Sequence, residues 1–544
     1  MFDRHFAHWP PGQPRTVELP RETVYANLAA STGRYPQRAA IDYYGRRMTY
    51  RELKREVDAL AGFLQQRCGV QPGERVLLYL QNSPQFVIGY YAILRANAVV
   101  VPVNPMNRAV ELVHYMEDSE AHTAIAGQDV MKQIETPGLR HVIEARYADY
   151  LPESTDLPLP PFLLEKCESR SWREALGAGL EPGPHTAGPD DLAVMPYTSG
   201  TTGKPKGCMH THASVQATTV PYLNWRGVQD AAVVLSALPM CHVTGMQAGM
   251  NSPLHLGATL VILSRWERDC AALQIERCRV TNWSAITTMM VDFLSNPKLA
   301  RYDLSSLRVL GGGGAAMPEA LARKLEEVIG LPFVEGYGLS ETMAPTHINP
   351  PQRPKRQCAG IPFFNTDARV IDVETLSELP PDQVGEIIVH GPQVFRGYWK
   401  QPEETARAFL SYDGKRFFRT GDLGYYDEEG YFFITDRLKR MINCAGYKVW
   451  PAEVEAMLYA HPAIQEACVI AARDAYRGET VKALIVLKDE YRGMVAGEGI
   501  IEWARQRMAA FKVPRIVQLV EALPRTPTGK IFWRKLQEEE NRQS

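Results

Sequence analysis

Eleven residues from Tyr197 to Gly207, YTSGTTGKPKG, hold five hydroxyl groups, three glycines and two lysines. Glycine lets a backbone N–H approach a phosphate, hydroxyls donate to its oxygens, and lysines offset its charge. Thr198, Ser199, Gly200, Thr201, Thr202, Gly203 and Lys206 are therefore expected to cradle a phosphate chain. A Walker A loop requires Ser or Thr directly after Gly-Lys, and Pro205 stands there instead. P-loop kinases and ATPases are disfavoured on that ground.

Other residues offer matching chemistry. Gly311–Gly314 follows the strand-like RVL, and exposed backbone at a strand end is where open α/β sheets bind ligands. Glu341, flanked by Ser340 and Thr342, is a hard carboxylate suited to Mg2+ on triphosphate oxygens, and the two hydroxyls can donate to phosphate. Asp422, in a Thr-Gly-Asp turn, can accept two hydrogen bonds from neighbouring hydroxyls, although Asp also simply forms turns. Lys530 lies in a Pro-Thr-Gly-Lys loop near the C-terminus, where a lone lysine is by default a solvated charge.

Taken in order, these blocks resemble the acyl-adenylate-forming superfamily, closest to fatty-acyl-CoA synthetases. The resemblance rests on the 197–207 loop, Pro239-Met240-Cys241-His242, Gly311–Gly314 with Ala315, and Glu335-Gly336-Tyr337-Gly338-Leu339-Ser340-Glu341-Thr342. Arg419-Thr420-Gly421-Asp422, Thr435-Asp436-Arg437-Leu438-Lys439 with Gly446, and Pro527-Thr528-Gly529-Lys530 complete it. It runs from about residue 20 to the C-terminus. The resemblance implies that Gly313, Gly314 and Ala315 line one face of adenine and Tyr337 stacks on the other, with Glu335, Gly336 and Gly338 in the same nucleotide-binding block. Thr198 and Glu341 would be the magnesium ligands. Asp422 and Arg437 would hold the ribose and phosphates. Lys530 would touch the carboxylate and the α-phosphate during adenylation. Lys439 would sit at a hinge, and Gly446 would face the site when a thiol attacks. His242 is read either as a gate beside the acyl carboxylate or as a general base.

Elements that would position these groups are legible. Thr49-x-x-Glu52 is a capping box, and the helix it opens places Leu53, Val57, Leu60 and Leu64 on one face. Arg75–Leu80 reads as a buried strand, Pro84–Leu94 as a helix and Ala98–Val103 as another strand, a unit of a covered parallel sheet. The alternation recurs from Ala193 to about Val334. The Pro-rich stretch 151–190 reads as a surface connection. Short strands separated by Gly and Asp turns (ARVID, GEIIVH, GYFFIT) suggest a small β-barrel-like subdomain. From about residue 440 a helix at Pro451–Leu458, strands at 467–471 and 481–487, a helix at 499–510 and a strand at 515–520 form a smaller α+β unit. The expected fold is thus α/β: an N-terminal AMP-binding domain over residues 1–437, carrying the acyl and ATP sites, hinged to a mobile domain over 438–544.

With 544 residues, 45% apolar, 22% charged and a net charge of -2, the chain reads as an ordinary multidomain globular protein. Nothing in the bulk charge points to nucleic acid. Nine scattered cysteines without a CxxC pair argue against a disulfide framework or a cysteine zinc site and for reduced thiols in the cytoplasm. No run is apolar and long enough for a membrane-spanning segment. The expected substrates are a small carboxylic acid, ATP and CoA with Mg2+, and relatives make a homodimer an open arrangement. Met240, Met246, Met250, Met289, Met290 and Met343 supply adaptable apolar lining for an expected monocarboxylic, medium- to long-chain acid. No appended carrier domain is seen. A stand-alone enzyme loading a separate carrier protein, and an aryl-CoA ligase of the benzoate or cinnamate type, remain the alternatives.

Overall fold

The computed structural model describes residues 3–134, 138–198, 204–228, 231–314, 316–444, 447–474, 478–525 and 531–543. The capping box forms: the Thr49 hydroxyl accepts from Glu52 N at 3.2 Å and the Glu52 carboxylate accepts from Thr49 N at 2.8 Å. The helix Tyr50–Gln66 buries the expected Leu53, Val57, Leu60 and Leu64.

Two large sheets carry most of the chain. A six-stranded sheet runs His210–Thr211, Leu192–Val194, Val99–Pro102, Arg75–Tyr79, Thr123–Gly127, His141–Ala145, parallel apart from its first strand. A nine-stranded sheet has Phe333–Leu339, Val309–Gly313, Asn282–Ala285, Val233–Ser236, Thr259–Ile262 and Ala39–Tyr43 as parallel neighbours at its centre. Antiparallel strands flank them: Ala344–Ile348 and Ile361–Pro362 at one edge, Arg46–Thr49 at the other. The near-continuous apolar strands follow from burial on both faces. The stretch 151–190 is not featureless: it holds a 3-10 turn at Pro161–Leu164 and a short helix at Ser171–Gly177 that buries Trp172.

A third sheet orders Asp367–Ile371, Gly385–His390, Lys415–Tyr426 and Phe409–Tyr412, with Phe432–Arg437 paired to the long strand. A fourth orders Tyr447–Val449, Ile442–Cys444, Gly478–Leu487 and Ile464–Asp474, with Ile516–Leu519 parallel to Gly478–Leu487. The helix Pro451–Leu458 and the helix Gly497–Arg505 complete that small α+β unit. The chain divides into two compact units, Met1–Ala368 with Val389–Phe418 and Glu429–Phe432, and Arg369–Ile388 with Arg419–Glu428 and Phe433–Ser544. Position 437 falls inside the last segment of the second unit. No described helix is long and apolar enough to cross a membrane.

The first unit buries histidines in neutral form. Desolvation lowers His5, His210 and His212 to about 4 and His347 to about 3. A folded pKa below the unfolded one means stability is full above pH 6.5 and is lost as pH falls toward the folded value. Linkage gives about 2 kcal/mol per histidine between pH 7 and pH 5. The denaturant midpoint of the first unit should therefore drop steeply over that interval, read by circular dichroism; a flat midpoint would contradict neutral burial.

Candidate active site

The hydroxyl-rich loop is a hairpin with anchored arms. Tyr197 lies opposite Gly207 and Thr198 opposite Lys206. The Tyr197 hydroxyl donates to Asp118 at 2.7 Å, and His114 Nε2 donates to the Pro205 carbonyl at 2.7 Å. Ser199, Gly200, Thr201, Thr202 and Gly203 lie outside the described residues. Thr198 is half-buried at the edge of the hairpin. Lys206 is 4% exposed, ion-paired to Glu404 and 5.2 Å over the Tyr398 ring. Its charge is thus held by a carboxylate of the helix Pro402–Arg407.

Close backbone packing explains the glycine run. A Cβ on Gly313 would stand 2.3 Å from the Gly336 carbonyl, its partner across the strand pair, and Gly314 has φ +91°. Ala315 lies outside the described residues. Gly336, Tyr337 and Gly338 sit on the adjacent strand Phe333–Leu339, with the half-buried Tyr337 ring 5.8 Å from that of His347. The Glu335 side chain turns into the fold: its carboxylate accepts from Met317 N at 2.9 Å and Gln357 N at 2.8 Å. Burial pushes that carboxyl up to about 7. Glu335 therefore ties the segment after the glycine strand to the chain near residue 357.

The turn carrying Glu341 is gripped from several elements. His210 Nε2 donates to the Ser340 carbonyl at 2.7 Å, Phe395 N donates to the Glu341 carbonyl at 2.8 Å, and the Thr218 hydroxyl donates to the Met343 carbonyl at 2.9 Å. The Glu341 carboxylate, 8% exposed, accepts from the Tyr398 hydroxyl at 2.9 Å. Thr342 spends its hydroxyl on the turn itself, donating to the Ala344 carbonyl at 2.9 Å, and is fully buried. Ser340 stays half-buried. Met343 and Ala344 follow with φ +45° and +69°. Consecutive non-glycine residues in this region store strain, which persists where the surroundings over-determine the backbone.

His242 caps the helix Val243–Met246 and meets Asn104. Asn104 Oδ1 accepts from Met106 N at 2.9 Å, which turns its Nδ2 toward His242 Nε2 at 3.2 Å. Nε2 then acts as an acceptor, so its lone pair is engaged. The helix continues through a π turn at Gln247–Asn251, where Gln247 Nε2 donates to the Thr218 hydroxyl at 2.7 Å.

In the second unit the sequence-expected pair comes together. Asp422, 2% exposed, accepts from Arg437 Nε at 2.6 Å. Arg419 pairs with Glu386, and the Thr420 hydroxyl receives Asp422 N at 3.0 Å, which fixes the Thr-Gly-Asp turn with Gly421 at φ +67°. Lys439 lies in the 3-10 turn Leu438–Arg440 and its side chain is outside the described set. Asp436 caps the next helix by accepting Ala452 N at 2.7 Å, and Arg440 pairs with Glu455. Gly446 and Lys530 lie outside the described residues. Sequence reasoning missed Asn104, His210, Thr218, Tyr398 and Arg440. Each acts through a distant partner, and no local signal marks it.

Among the described residues no cluster of three or more His, Cys, Asp or Glu is arranged for a metal ion. A single carboxylate such as that of Glu341 fits a magnesium ion that takes one or two carboxylates and otherwise binds hydroxyls, substrate phosphates and water.

Comparison with known proteins matches residues 28–399 to the AMP-binding enzyme model and residues 453–530 to the AMP-binding enzyme C-terminal domain. A long-chain-fatty-acid–CoA ligase of Bacillus subtilis is 38% identical over 98% of this chain and 97% of its own. A feruloyl-CoA synthase of Amycolatopsis is 34% identical over 91% of this chain and 95% of its own. The crystal structure of ATP-bound MatB from Rhodopseudomonas palustris superposes with a TM-score of 0.84 at 27% identity, covering 96% of this chain and 100% of that one.

Proposed function

The chain belongs to the AMP-binding enzyme family, and on that premise we propose that it is an acyl-CoA synthetase for an apolar monocarboxylic acid of medium to long chain. The acid's carboxylate oxygen attacks the α-phosphorus of ATP, and pyrophosphate leaves. The CoA thiol then attacks the acyl carbon of the mixed anhydride, the carbon–oxygen bond breaks, AMP leaves, and the thiol proton passes to water. Bound magnesium supplies charge neutralisation on the triphosphate, with Glu341 and Thr198 as its protein ligands.

The chain's own residues divide the work. The 198–206 hairpin cradles the phosphates, with Lys206 and Glu404 stiffening one arm. Gly313, Gly314 and Ala315 wall the adenine, with Tyr337 on its other face and Glu335 tying the wall in place. Ser340 donates to phosphate. Asp422, steered by Arg437, takes the ribose hydroxyls. His242, its Nε2 engaged by Asn104, gates the acyl carboxylate and does not act as a base through that nitrogen. The thiol needs no dedicated base, since it titrates near ~8.5 unaided. Lys530 bridges carboxylate and α-phosphate in the first step; Lys439 marks the hinge and Gly446 the thiol's approach in the second.

One observation carries the choice of acid: Met240, Met246, Met250, Met289, Met290 and Met343 are all buried in the same apolar cluster. Unbranched thioethers adapt to a flexible tail. The similarity to a feruloyl-CoA synthase favours an aryl acid as the second reading. A panel of saturated acids and of benzoates and cinnamates decides between them. Medium- to long-chain acids should exceed aryl acids in kcat/KM by about tenfold or more; the reverse order would move the assignment to aryl acids.

A further inference from the structure

Arg226 is a buried cation with no counter-charge among the described residues. It is 8% exposed, and among the described residues no carboxylate pairs with it and no acceptor takes its Nε–H. Its guanidinium lies 4.9 Å from the Tyr222 ring centre. Guanidinium nitrogens also stand 3.0 and 3.2 Å from where a Cβ on Gly311 would be, so glycine at that strand position leaves room for them. A buried arginine normally has its hydrogen bonds met, and an exception calls for a ligand or another explanation.

Its place in the fold suggests the ligand. The helix His212–Trp225 leads directly into Arg226. Thr218 on this helix touches both the Met343 carbonyl, next to the Glu341 turn, and Gln247 on the helix that His242 caps. Tyr222 lies four residues further along the same face, and Arg226 stands in the turn that directly follows the helix. From Thr218 to the helix end at Trp225 the axis runs about 10 Å, and Arg226 lies just beyond that end. On the ligase reading Thr218, beside the Glu341 turn and the helix that His242 caps, stands at the carboxyl end of the acyl site, and Arg226, against Gly311, stands toward its far end.

We propose that Arg226 recognises an oxygen acceptor at the distal end of the acyl tail, so that the preferred acid is apolar along its length and terminates in a hydroxyl, phenol or second carboxylate. The inference rests on the acyl-CoA ligase reading; a terminal hydroxyl or phenol refines its monocarboxylic substrate, and a terminal carboxylate replaces that substrate with a dicarboxylic acid. Such a tail crosses the methionine-rich interior and supplies the hydrogen bond, or the negative charge, that none of the described residues does.

The test measures CoA-dependent AMP release with decanoate, ω-hydroxydecanoate, decanedioate, cinnamate and para-hydroxycinnamate. The wild-type protein should favour an oxygen-terminated acid over its unsubstituted parent by at least about tenfold in kcat/KM, since a site built to hydrogen-bond a substrate oxygen rejects the analogue lacking it. Arg226→Met should erase that ratio while keeping decanoate within about threefold. Arg226→Gln separates the sources: retained preference for the hydroxyl acids points to a neutral acceptor, and loss confined to decanedioate points to a carboxylate. Equal use of both acid classes by the wild-type protein would overturn the proposal without any variant. So would a proportional loss on all acids in Arg226→Met. Absence of AMP release with every acid would overturn the ligase reading itself, and the inference with it.

Discussion

Replacing Lys530 with alanine should slow acyl-adenylate formation by about a hundred- to a thousandfold, the usual cost of removing one fixed donor from a developing anionic centre. Thiolysis of supplied acyl-AMP should stay within a few-fold of wild type. The reasoning is electrostatic. In the first step a carboxylate approaches an α-phosphate that is itself negative, and a cation touching both lowers that repulsion most at the transition state. In the second step the acyl carbon is already activated and the leaving group is AMP, so the same cation has little left to neutralise. The mirror variant, Gly446→Leu, should leave pyrophosphate release unchanged and block thioester formation, because a side chain at Gly446 would obstruct the pantetheine arm. Pyrophosphate release and acyl-CoA formation, followed separately, check both. Equal loss of the two steps in either variant would reject the division of labour.

Glu341→Gln should lower adenylate formation by about a hundredfold and raise the Mg2+ concentration needed for half-maximal rate. The amide keeps the size of the side chain and an oxygen that accepts from the Tyr398 hydroxyl, so the turn should hold while the charge is lost. Tyr398→Phe makes the complementary change. It removes the 2.9 Å hydrogen bond that aims the carboxylate and leaves the charge in place. Its effect should be smaller, about tenfold, and should be relieved by added Mg2+. A merely structural role for Tyr398 would lower the rate at every Mg2+ concentration alike. A Glu341→Gln protein with an unaltered Mg2+ profile would remove Glu341 from the metal site.

The parts of this molecule that the sequence discloses are those with short-range causes. Thr49 and Glu52 are three residues apart, and their reciprocal hydrogen bonds fix a helix start that is readable without any neighbour. The apolar strands at residues 75–79 and 99–102 are legible because burial on both faces leaves no polar alternation. The Thr-Gly-Asp turn and Arg437 are each recognisable, and the structure joins them in one ion pair. What escapes is whatever depends on contacts between distant segments. Nothing near His210 or Thr218 says that they hold the carbonyls of Ser340 and Met343. Nothing near Lys206 says that Glu404 pairs with it. Arg226 looks like any charged residue at a helix end until its burial is known. The helix Ser171–Gly177 is only seven residues long, too short for periodicity to show among the surrounding prolines.

The central claim is activation of a carboxylate through an adenylate, and the most direct measurement follows oxygen. The protein is incubated with ATP, Mg2+, CoA and a carboxylic acid carrying heavy oxygen in both carboxylate positions, and the products are read by mass spectrometry. Attack of the carboxylate on the α-phosphorus, followed by cleavage of the acyl carbon–oxygen bond, places one heavy oxygen in AMP and leaves the other in acyl-CoA. The account predicts that label in AMP, with unlabelled pyrophosphate. Heavy oxygen in inorganic phosphate accompanied by ADP would contradict it, because the acid would then have been activated at the γ-phosphorus.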